Sequence, residues 1–86
     1  MLTVTEAASR YLCHMLDESA APDRAAVRLL LAPEGLCMTI DRERDGDEHF
    51  ERDGRTLLVL DHEDAAALSQ RTLDVEGQGQ RLVCKR

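Results

Sequence analysis

Phe50-Glu51-Arg52-Asp53-Gly54-Arg55-Thr56-Leu57-Leu58-Val59-Leu60-Asp61 is the stretch that decides the fold class. Asp53-Gly54 suits a two-residue hairpin turn, which needs positive φ at both central positions. Strands are therefore expected on both sides, starting at His49-Phe50-Glu51 and returning over residues 55–60. The unbroken apolar run from Leu57 to Leu60 reads as a buried strand. Asp61 then suits a helix N-cap, with Asp64 at the third helical position. The short helix should turn Ala65, Ala66 and Leu68 inward and end near Gln70 or Arg71.

Upstream, residues 26–31 form an apolar run with little alternation, which predicts a central strand covered on both faces. Pro33-Glu34-Gly35 marks a bend. The next strand, over 36–41, does alternate: Leu36, Met38 and Ile40 share one face, Cys37, Thr39 and Asp41 the other. The large apolar trio should face the core, so Cys37 should point to solvent, a pocket or a partner. Residues 42–48 read as a solvated charged loop containing Asp45-Gly46. Near the start, Thr5 is an N-cap for a helix running to about Ser19. Ala8, Tyr11, Leu12, Met15 and Leu16 make its apolar stripe, with Cys13 and His14 off it. Ala20-Ala21-Pro22-Asp23 breaks it. Downstream, Leu73 and Val75 alternate in a strand, Gly77-Gln78-Gly79 turns, and residues 81–84 form a last strand. The expected fold class is α+β, as a single domain over residues 1–86. It comprises an N-terminal helix, mixed or antiparallel strands in a compact sandwich or distorted barrel, and one short second helix.

A chain of 86 residues buries only about 60% of its extended surface, so a dimer interface would add to a thin margin of stability. The only aromatic residues are Tyr11 and Phe50. The net charge of −6, the scattered arginines and the lack of stacking rings argue against nucleic acid as a partner, and the charge argues against anionic membrane. Met1 to Glu6 shows no basic region or apolar run of a signal peptide, and no segment is apolar enough to span a bilayer. Three widely spaced cysteines, Cys13, Cys37 and Cys84, do not form a secreted disulfide framework; a reducing cytoplasm is expected.

The sequence has no glycine-rich phosphate loop, no Cys-x-x-Cys pair and no ligand-spaced histidines among His14, His49 and His62. The acidic run from Asp41 to Asp53 lacks the spacing of a calcium loop. An enzyme is not expected.

The ordered set of elements resembles the HesB/IscA family, the A-type iron–sulfur carriers. The resemblance rests on Leu2-Thr3-Val4-Thr5-Glu6-Ala7-Ala8, on Val27-Arg28-Leu29, on Phe50-Glu51 with Asp53-Gly54 and Asp61, and on Leu73-Asp74-Val75. It covers most of the chain, and it implies a strand residue pair before the capped helix. Members hold iron or a cluster through a cysteine in a Gly-Gly-Cys-Ser-Gly loop and two more in a Cys-Gly-Cys tail. Thiolates suit this cargo because they are soft, charged ligands for iron. Cys37 is the position that matches the loop cysteine, though its flanks read Gly35-Leu36-Cys37-Met38-Thr39. No Cys-Gly-Cys pair appears, and Cys84 falls too soon after Gly77 and Gly79 to match either tail cysteine.

The resemblance implies an iron–sulfur assembly or carrier protein. It would hold iron or a [2Fe–2S] cluster through Cys37 and, by a different route, Cys84, whose thiolate Lys85 and Arg86 would favour. Two protomers would bring four thiolates. Its partners would be a second copy and iron–sulfur assembly or recipient proteins. Two other readings stand beside it: a scaffold-only relative that has lost its cluster and works through protein contacts, and a thiol redox sensor.

Overall fold

The computed structural model describes residues 2–20, 22, 24–77 and 81–85. The elements run β1 (Thr3–Val4), α1 (Glu6–Glu18), β2 (Ala25–Ala32), β3 (Gly35–Arg42), β4 (Glu48–Arg52), β5 (Arg55–Leu60), α2 (His62–Ala67), β6 (Thr72–Glu76) and β7 (Arg81–Lys85). They build two mixed sheets, one ordered β1-β6-β7 and one ordered β3-β2-β5-β4. The α+β class holds, and neither sheet closes into a barrel.

Local chemistry sets the element ends. The Thr5 hydroxyl accepts from the Ala8 N–H at 3.1 Å and starts α1. Asp61 caps α2 in the same way, accepting from the Asp64 N–H at 2.9 Å. Asp53 (φ 53°) and Gly54 (φ 79°) both take the left-handed conformation that a two-residue turn needs. A bulge between Phe50 and Glu51 adjusts the register of that hairpin. The Pro33-Glu34 turn joins β2 and β3 in full antiparallel register, from Ala32 opposite Gly35 to Ala25 opposite Arg42.

The core gathers Leu12 and Leu16 of α1, Val27 and Leu29 of β2, Leu57, Leu58 and Leu60 of β5, Leu68 after α2, and Leu73 of β6. Aliphatic burial dominates the stability, at about 1.5–3 kcal/mol for each such side chain. Thr5 ties the two halves together. Its N–H donates to the Leu73 carbonyl at 3.0 Å and its hydroxyl to Asp74 Oδ1 at 2.8 Å.

Some expectations need correction. β2 is covered on both faces only from Ala25 to Leu29; Leu30 and Leu31 are exposed because the sheet extends past the elements that pack on it. Met38 shares the inward register of Leu36 and Ile40, yet it is exposed on the edge strand. Ala66 is exposed, since six helical residues turn only a narrow stripe inward, and Ala65 fills it. The turn expected at Gly77-Gln78-Gly79 begins at Gly77, and its other two residues lie outside the described ones.

Candidate functional site

Register places Cys37 opposite Leu30 on the neighbouring strand. It shares a face with Thr39 and Asp41, while Leu36 and Ile40 on the other face pack against the core. The thiol is exposed, as its alternation in the sequence requires. It sits on β3, an edge of the four-stranded sheet. The exposed large apolar side chains among the described residues, Leu30, Leu31 and Met38, all lie on this same β2–β3 hairpin. Of these, Leu30 shares the face of Cys37, whereas Leu31 and Met38 project from the other face.

Cys84 is oriented the other way. It lies opposite Leu73, which is fully buried, and its half-buried side chain packs against the core. Burial pushes the thiol pKa up, with Arg71 acting weakly in the opposite sense. The expected help from Lys85 fails on alternation. Lys85 projects from the other face, where its Nζ reaches Glu76 at 2.8 Å and Asp74 at 3.3 Å. Arg86 lies outside the described residues. One chain thus places the two thiols on different faces of different sheets. Among the described residues there is no group of three or more Cys, His, Asp or Glu side chains arranged to hold a metal ion.

Cys13 belongs to a clamp between α1 and β5. Arg55 Nη1 approaches its sulfur at 3.5 Å and Asp17 Oδ1 at 2.9 Å, and Cys13 also packs against the core.

The sequence reading missed the ionic knot at the opposite end of the hairpin. Arg28, almost fully buried in β2, donates from Nε to Asp41 Oδ2 at 2.7 Å. Its Nη2 donates to Asp47 Oδ2 at 2.6 Å and to the Arg42 carbonyl at 2.9 Å. Asp47 in turn accepts from the Arg44 N–H at 2.7 Å, which fixes the loop over residues 43–47. The Arg28 guanidinium holds Asp47 below the usual carboxylate range; the Arg42 N–H, then Arg28, does the same for Asp41. Arg28 is raised in turn, foremost by Asp47. Asp41 and Asp47 are therefore spent on an internal arginine. An arginine inside an apolar run was the available signal.

This arrangement is a HesB-like fold: a short first strand, a capped helix, a four-stranded mixed sheet and a three-stranded one built from both ends of the chain. Among solved structures it is similar to Escherichia coli SufA, a protein involved in biosynthesis of iron–sulfur clusters. The TM-score is 0.72 at 24% identity, over 98% of this chain and 81% of that one. It is also similar to a protein from Aquifex aeolicus solved by NMR, with a TM-score of 0.71 at 22% identity, over 99% and 90% of the two chains. No family model and no curated protein matches the sequence. No helix among the described residues is long and apolar enough to cross a membrane.

Proposed function

We propose that this chain handles iron or a [2Fe–2S] cluster as cargo, as a carrier or accessory to iron–sulfur assembly, not as an enzyme. The observation that carries the reading is the exposed Cys37 thiol on an edge strand of a fold similar to that of SufA. The cargo would be shared. A single chain offers one presented thiol, whereas two copies meeting at the β3 edge would offer two, and soft thiolates match iron and sulfide. Cys84 is the reserve ligand, because its burial and raised pKa oppose the thiolate form that a metal requires. The whole chain would act as one domain, in the cytoplasm, with a second copy and assembly or recipient proteins as partners.

Anaerobic reconstitution with iron and sulfide tests this. Visible absorption and stoichiometric iron and acid-labile sulfide should appear in the wild type, persist in Cys84→Ser and vanish in Cys37→Ser. A colourless wild-type protein without iron would remove the carrier reading.

The scaffold-only reading has its own supporting observation. Leu36 and Met38 flank Cys37 where backbone must approach a bulky cluster closely. Under that reading the exposed apolar tip serves protein contacts, and Cys37→Ser leaves partner capture unchanged.

A further inference from the structure

A second site lies at the other end of β3. A polar cleft of about 950 Å3 is lined by Arg24, Arg42, Arg44 and Arg55, together with the 43–47 loop and the Asp53-Gly54 turn region. Five residues of strand separate Cys37 from Arg42, or about 16 Å, so the cleft is distinct from the thiol.

Charge decides what could occupy it. The chain is acidic, with a net charge of −6, yet four of its eleven Lys and Arg residues line this one cleft. Three acidic residues, Glu43, Asp45 and Asp47, line it too. Two of the three are engaged elsewhere, leaving Asp45 against four arginines. Asp47 is committed to the buried Arg28 and to the Arg44 N–H, and Glu43 faces His49 Nδ1 at 3.1 Å. Arg44 and Arg55 each hold one carboxylate, Asp41 and Asp17, through one Nη atom. Arg24 and Arg42 make no side-chain ion pair among the described residues. Several guanidinium donors are therefore left over, on walls that are already fixed. The Arg28 knot holds one wall, and the Arg55–Asp17 pair holds the other against α1. Gly46 and Gly54 leave the mouth open, since nothing lies within 4 Å of where a Cβ would stand at either.

Planar, rigid guanidinium forks match the oxygens of phosphate and carboxylate groups. The cleft has the size of a small-molecule site, larger than a single phosphate needs. We propose that it binds a small multivalent oxyanion, one carrying two or three phosphate or carboxylate groups. A nucleic-acid polymer fits less well, because the surface beyond the cleft is acidic and no aromatic platform lines it.

Isothermal titration of the wild-type chain with inorganic triphosphate and with citrate, at low and at physiological ionic strength, tests this. One-to-one saturable binding that weakens with salt is expected. Arg42→Gln and Arg24→Gln should each weaken it about tenfold, the scale of one charge-assisted hydrogen bond. Both positions are exposed, so folding should survive, and circular dichroism checks it. Arg81→Gln, on the exposed face of β7, should leave binding unchanged. Preference for triphosphate assigns phosphate groups to the ligand; preference for citrate assigns carboxylates. The proposal is overturned by absence of saturable binding to either anion, by Arg81→Gln weakening it as much as Arg42→Gln, or by a single-stranded oligonucleotide binding more tightly than triphosphate.

Discussion

The two ends of the β2–β3 hairpin are held by opposite means. At its base, Arg28 is buried with Asp41 and Asp47, and every donor that the fold buries there has an acceptor. Toward its tip, Leu30, Leu31 and Met38 are the exposed large apolar side chains among the described residues, on the same hairpin as the exposed Cys37 thiol. A buried ionic pair is costly to break because the surviving charge is stranded. A part-exposed apolar side chain contributes less to folding than a buried one. The base is closed by charge; the tip leaves apolar surface uncovered.

The largest effect should come from breaking the base. Asp47→Ala strands the Arg28 guanidinium and should cost about 3 kcal/mol, read as a lowered midpoint in urea at unchanged slope. A next, smaller effect is acid sensitivity. Asp41 and Asp47 titrate below the usual range when folded, so the unfolded chain takes up protons first as pH falls. Their stabilisation is complete above the ordinary carboxylate pKa of about 3.9 and is lost as pH drops through the depressed folded values. An acid titration of stability should show this loss, and Asp47→Asn should flatten it. At the tip, Leu30→Ser combined with Met38→Ser should cost the monomer about 1–2 kcal/mol, because the two side chains are only 37% and 39% exposed, while sedimentation reports less self-association. Smallest of all, Cys37→Ser should leave the urea midpoint in place. The same thiol should nevertheless alkylate at least about tenfold faster than Cys84, as burial and a raised pKa slow the latter; equal rates would undo the contrast between the two cysteines.

Much of the base and tip could be read from residues, but unevenly. The Thr5 and Asp61 caps, the Asp53-Gly54 turn and the alternation of β3 are local signals, and each appears where the chain demands it. The outward direction of Cys37 followed from that alternation. β1 is too short for any period and became legible only through resemblance. The exposure of Leu30, Leu31 and Met38 depends on where packing stops, which no window of sequence encodes. The knot joins positions 28, 41 and 47, which only the strand register brings together. The flanking charge expected to favour the Cys84 thiolate does not reach it, because the pleat sends Lys85 to the other face.

The bond from Thr5 to Asp74, with β1 lying parallel to β6, joins residues 69 positions apart. During synthesis, β1 has no sheet partner until β6 has been made. Translation of β6 then acts as a latch for β1 and the Thr5 cap, and distant contacts of this kind slow folding. Nascent-chain lengths ending before that strand should remain protease-sensitive around β1 and the start of α1.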